Sequence, residues 1–108
     1  MTKLHDDPKI KDLVRRLRSA LDPCTIYLFG SRAAGDTPPD SDFDVMVVVP
    51  ETAESSYERR LRGWGALRGF AHPVDLLIYT EAEWEFLAPK RYSVARQVKD
   101  HGIVLYAA

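Results

Sequence analysis

The sequence predicts an α/β chain of the α+β kind, a mixed β-sheet flanked by helices in two layers, and three observations carry that prediction. Apolar residues recur at helical spacing over residues 8–21, at Ile10, Leu13, Val14, Leu17 and Leu21. TIYLF at 25–29, rich in β-branched and aromatic residues, ends abruptly at Gly30, and the apolar run VDLLIY at 74–79 follows the breakers Gly69 and Pro73. Between them, residues 43–49 are apolar on both alternation rows, Phe43, Val45, Val47 and Val49 on one and Met46 and Val48 on the other. A strand apolar on both sides is covered on both faces.

The elements follow in order. Asp7 as N-cap and Pro8 as first helical residue open the first helix, which the segment DPC at 22–24 closes. The strand TIYLF stops abruptly at Gly30, and SRAAG (31–35) has room for about one helical turn. Pro38 and Pro39 forbid regular structure before Ser41. Pro50 closes the strand at 43–49. Ser55 and Glu58 have capping-box spacing for a helix expected to carry Tyr57, Leu61, Trp64 and Leu67 inward, weakened at Gly63 and Gly65 by about 1 kcal/mol each relative to alanine. Thr80 and Glu83 offer a second capping box ahead of AEWEFLA. A further helix runs through RYSVARQVKD, and Gly102 stops it before a short strand at IVLY.

The 108 residues fit one domain, 1–108, with no repeat and no linker to mark a second. A net charge of -1 supplies no global basic field, so no direct nucleic-acid binding is expected. The lone Cys24 excludes an internal disulfide framework and suits a reducing compartment. No stretch has the apolar length of a signal peptide or a membrane span, and the expected location is cytoplasmic with no membrane contact.

The segment LFGSRAAGDTPPDSDFDVMVVV (28–49) carries the chemistry. Asp42 and Asp44 open a strand two residues apart, so they share a face with Cα atoms about 7 Å apart and repel each other. Two converging carboxylates are tolerated when cations neutralise them, and paired oxygen ligands suit hard Mg2+. Asp75 repeats the pattern at the start of a later strand, opposite the apolar row of Val74, Leu76 and Ile78. If these two strands are neighbours joined through a helical crossover, they are parallel and all three carboxylates meet at one sheet edge. Three carboxylates at that range can hold two metal ions about 3.5–4 Å apart for in-line displacement at phosphorus. Gly30 and Ser31 join them only if the first strand runs the other way; glycine then admits a phosphate close to the backbone, with amides and the Ser31 hydroxyl as donors. Arg32 either pairs with a phosphate or anchors the loop through Asp36 or Asp40.

The remaining side chains read more plainly. Taken singly, an aspartate before a strand is a turn residue. His5, His72 and His101 are scattered without ligand spacing and read as surface or loop residues. Trp64, Trp84, Phe86 and Tyr92 read as core or helix-contact residues, and Arg59, Arg60, Arg62 and Arg68 as a solvated helix face.

Gly-Ser, ten intervening residues, Asp-x-Asp and a later Asp within an apolar strand together resemble the signature of the DNA polymerase beta nucleotidyltransferase superfamily, and GSRAAGDTPPDSDFDVMVVV with HPVDLLIYT looks like its minimal nucleotidyltransferase branch. Ala34 departs from the pattern, standing where relatives often carry arginine. The resemblance implies a nucleotidyltransferase fold. It implies that Asp42 and Asp44 ligate two Mg2+ ions, that Asp75 completes the metal nearest the attacking hydroxyl, and that Gly30 and Ser31 hold the phosphates of ATP. It further implies an antitoxin paired with a HEPN-domain toxin, adenylylating a toxin tyrosine. The alternative is a non-catalytic antitoxin that neutralises its partner by binding and occlusion. A chain this short leaves little room for an acceptor pocket, so acceptor recognition is expected from a partner protein or a second copy in a homo-oligomer.

Overall fold

A computed structural model describes residues 3–35 and 41–108. After a short 3₁₀ turn at Lys3–Asp6, helix α1 (Pro8–Leu21) starts where its cap predicts. Asp7 is extended and its carboxylate accepts from the Lys9 amide at 2.9 Å. Asp22, left-handed at φ 46°, ends the helix.

Strands β1 (Thr25–Phe29), β2 (Phe43–Val49), β3 (Val74–Thr80) and β4 (Ile103–Ala107) form one sheet in the order β3-β2-β1-β4. Strands β2 and β3 are parallel, while β1 is antiparallel to both β2 and β4. The sheet is therefore mixed, and helix α3 (Ser56–Ala66) is the crossover that makes β2 and β3 parallel.

Strand β2 is buried on both sides. Phe43, Val45, Val47 and Val49 join Ile10, Leu13, Leu17 and Leu21 of α1 in the larger core, with Leu76 and Ile78 of β3. Met46 and Val48 meet a smaller cluster beneath α4 (Glu81–Leu87) and α5 (Val94–His101), built on Val98 and on Trp84 stacked against Tyr27 at 5.1 Å between ring centres. Helices thus lie on both faces. The core on the side of α1 and α3 is the larger, and the second layer leaves the Asp44 end of its face partly open.

Helix α3 departs from expectation. Its capping box forms as predicted, with the Ser55 hydroxyl accepting from the Glu58 amide and the Glu58 carboxylate from the Ser55 amide. Its inward residues, however, are Arg59 and Gly63, while Tyr57, Leu61 and Trp64 are about half exposed. A Cβ on Gly63 would lie 2.6 Å from Leu76 Cδ2 and 2.8 Å from Ile78 Cδ1. The helix rests on the sheet through its glycine, and that approach turns the aromatic stripe outward. Phe86 and Tyr92 are exposed too, so of the four aromatics expected inside only Trp84 packs inward. Arg59 is buried instead of solvated, its Nη2 donating to both carboxylate oxygens of Glu83 at 3.0 and 3.2 Å. Among the described residues no helix is long and apolar enough to cross a membrane.

Candidate active site

The mixed topology brings the end of β1 and the starts of β2 and β3 to one edge. Antiparallel pairing sets Phe29 opposite Asp44, and parallel pairing sets Asp75 beside Asp44. Register partners share a face, so Phe29, Asp44 and Asp75 form a row across three strands. The face is that of Met46 and Val48, away from α1 and α3. Asp42 stands one alternation further out, just before β2, and is exposed, as is Asp75; Asp44 is half-buried. The amide of Phe43 donates to the Pro73 carbonyl at 3.0 Å, extending the ladder to the site's edge.

Gly30 closes the row from the β1 side. At φ 73°, ψ -155° its backbone occupies a region essentially reserved to glycine, and a Cβ there would lie 2.2 Å from Asp44 Oδ2. The Gly-Ser turn is therefore pressed directly against the central carboxylate. Ser31 follows, exposed, as the first residue of the four-residue helix α2 (Ser31–Ala34). Arg32 sits 3.9 Å above the Phe43 ring, and its Nε and Nη2 donate to the Ser41 carbonyl at 2.9 and 2.5 Å. It thus fastens the start of β2 to α2. The suggested partners Asp36 and Asp40 lie outside the described residues, as do Pro38 and Pro39.

Electrostatically the row is strained. Burial, then the charge of Asp75, then that of Asp42 push the Asp44 carboxyl above its ordinary value. Among the described residues none of the three carboxylates has an ion pair or hydrogen bond to relieve this. Nor, among the described residues, are any three His, Cys, Asp or Glu side chains drawn together tightly enough to hold a metal ion as they stand. The donor set nevertheless suits a divalent cation. Hard oxygens, mutual repulsion and a missing protein counter-charge are what a bound cation would satisfy.

On the other side of Gly30 lies a groove of about 640 Å³ lined by Phe29, Gly30, Ala34, Val94, Gln97 and His101. Residue spacing did not reveal it. Val94, Gln97 and His101 mark one stripe of α5, but nothing in their order says that the stripe faces Gly30.

The family model for the nucleotidyltransferase domain matches residues 8–105. The chain belongs to that family. No curated protein matches it. Solved structures do: this nucleotidyltransferase-family chain is 22% identical to a chain of a toxin–antitoxin complex crystallised with AMP-PNP, over 92% of its own length and 73% of the other's, with a TM-score of 0.65. A Sulfolobus solfataricus protein assigned as a nucleotidyltransferase is 21% identical over 97% and 81%, TM-score 0.65. A complex of a tri-AMPylated Shewanella oneidensis HEPN toxin with its MNT antitoxin gives 21% over 93% and 71%, TM-score 0.60. At these identities the likeness is one of fold, and it agrees with the mixed sheet and flanking helices described above.

Proposed function

We propose that this chain transfers AMP from ATP to a tyrosine of a HEPN-domain toxin, acting as the antitoxin of the pair in a Mg2+-dependent reaction. The observation that carries the reading is the position of Asp44, between Asp75 on the neighbouring strand and the backbone of Gly30. Three carboxylates without a counter-charge among the described residues, and a glycine backbone beside them, suit a nucleoside triphosphate with its metal. They have no evident purpose in a protein that only binds.

Asp42, Asp44 and Asp75 would hold the divalent ions, which when bound neutralise phosphate charge and favour in-line displacement. Gly30 leaves space for phosphate oxygens, and the exposed Ser31 hydroxyl donates to them. Asp75, exposed at the edge of the sheet, meets an acceptor arriving from solvent and takes the proton of its hydroxyl. The hydroxyl oxygen bonds to the α-phosphorus, the bond from that phosphorus to the β-phosphate bridge oxygen breaks, and pyrophosphate leaves. The complexes named for related folds, a toxin–antitoxin pair with AMP-PNP and an AMPylated HEPN toxin with its antitoxin, support both the nucleotide and the partner.

The test is co-expression with a HEPN partner followed by mass spectrometry of that partner. Wild type adds the mass of AMP to a tyrosine, and Asp42→Asn with Asp44→Asn abolishes it. Full neutralisation of the partner's toxicity by the double variant, with no added mass, would instead establish occlusion.

A further inference from the structure

We infer that the groove beside Gly30 receives the nucleobase and that Gln97 reads its edge, a conclusion that rests on the nucleotide reading above. The groove and the carboxylate row share a boundary. Gly30 belongs to both, and Phe29, which walls the groove, is the register partner of Asp44. One strand spacing, about 5 Å, separates the central carboxylate from the start of the groove. A nucleotide with its phosphates at Gly30 and Ser31 can therefore place its sugar and base over Phe29 without leaving that face. Cavities of about 490 Å³ between α1 and β4 and about 190 Å³ beside Leu21 and Val49 touch none of these residues.

The lining has the chemistry of a base site. Phe29, Ala34 and Val94 supply apolar walls, and Gln97 and His101 are the polar groups among them. Val94, Gln97 and His101 follow one another at intervals of three and four along α5, while Ala95 and Val98 bury the stripe beside them, about a quarter turn round the helix. Core packing therefore accounts for Ala95 and Val98 and leaves the other stripe open, with Val94 43% exposed at the groove. Neither the Gln97 nor the His101 side chain has a hydrogen-bond partner among the described residues. A volume of about 640 Å³ accommodates a purine with its ribose. The Gln97 amide offers one donor and one acceptor side by side, which match N7 and the N6 amino group of adenine. Guanine presents two acceptors there and can satisfy only half of the amide. The base taken is adenine.

Isothermal titration of the full-length chain with Mg2+, using the α,β-methylene analogues of ATP and GTP and inorganic tripolyphosphate, tests this. Wild type should bind all three in a Mg2+-dependent way and prefer the adenine analogue by about fivefold or more, the lower end for a bidentate pair. Gln97→Ala should bring that preference near unity. Val94→Trp should fill the groove and weaken both analogues about tenfold while leaving tripolyphosphate within about twofold, since only the base is displaced. Retention of wild-type affinity and preference by both variants, with Mg2+-dependent tripolyphosphate binding intact, would overturn the base site and leave the nucleotide reading standing. A wild-type preference for guanine would overturn the role of Gln97, and parallel loss of tripolyphosphate in Val94→Trp would overturn the separation of base from phosphate. If wild type binds none of the three ligands, both conclusions fall.

Discussion

Replacing Gly30 by alanine perturbs stability and chemistry together, and the structure separates the two. At φ 73°, ψ -155° a residue with a side chain is strained by about 1–3 kcal/mol. For a domain near this size that lowers Tm by roughly 5–20 °C. The new Cβ would also lie 2.2 Å from Asp44 Oδ2, so either the carboxylate rotates or the Gly-Ser turn lifts. Both displace the groups proposed to hold the nucleotide. Gly35 is the matched control: its φ is 77° with ψ 11°, left-handed helical, and nothing lies within 4 Å of a Cβ there. Alanine at Gly35 should cost about 1–2 kcal/mol and leave the carboxylates in place. Thermal melts paired with Mg2+-dependent nucleotide titration read both effects. Gly30→Ala should lose at least about tenfold in affinity and Gly35→Ala almost none. Wild-type affinity in Gly30→Ala, or a smaller loss of stability than in Gly35→Ala, would refute the close packing of turn against carboxylate.

Three further variants probe other parts of the molecule. Burial, Asp75 and Asp42 raise the Asp44 carboxyl, so the folded state holds that proton more tightly than the unfolded chain; the metal-free protein then loses stability as pH climbs from the ordinary value of 3.8 through the raised folded value. Metal-free Asp44→Asn should therefore melt above wild type at pH 7, with the gap closing below about pH 4, and calorimetry with Mg2+ should raise the Tm of wild type alone. Arg59→Ala removes a buried guanidinium from Glu83, which also accepts from the Thr80 amide at 2.8 Å to cap α4. Because the Glu83 side chain is 43% exposed, urea unfolding should show a loss of about 2 kcal/mol, below that of a fully buried pair. Gly63→Ala should be destabilised by about 1 kcal/mol despite alanine's better helix propensity, because its Cβ meets Leu76 and Ile78; a Tm above wild type would show that the contact yields.

Strong local patterns were legible because one physical term dominated each. The Asp7-Pro8 cap, the capping boxes at Ser55 and Thr80, and the doubly apolar run at 43–49 each appear where the residues place them. The edge shared by Asp44, Asp75 and Gly30 followed from topology: a helical crossover forces β2 and β3 parallel, and only an antiparallel β1 can then deliver Gly30 to them. Helix α3 was misread for an equally specific reason. Its apolar period marks Tyr57, Leu61 and Trp64, but close approach of backbone to sheet at Gly63 outweighs side-chain hydrophobicity in choosing the buried face. Arg59 was hidden because its partner Glu83 lies 24 residues away on another helix. The groove lined by Val94, Gln97 and His101 is likewise a tertiary feature, created where α5 passes Phe29 and Gly30.

A crystal of the full chain grown with Mn2+ and α,β-methylene ATP would examine the arrangement at its centre, since anomalous scattering locates the ions without reference to any expected geometry. Peaks coordinated by Asp42, Asp44 and Asp75, with the phosphates against Gly30 and Ser31, are the predicted result. Ions bound elsewhere, or a nucleotide seated without Asp75 taking part, would contradict it.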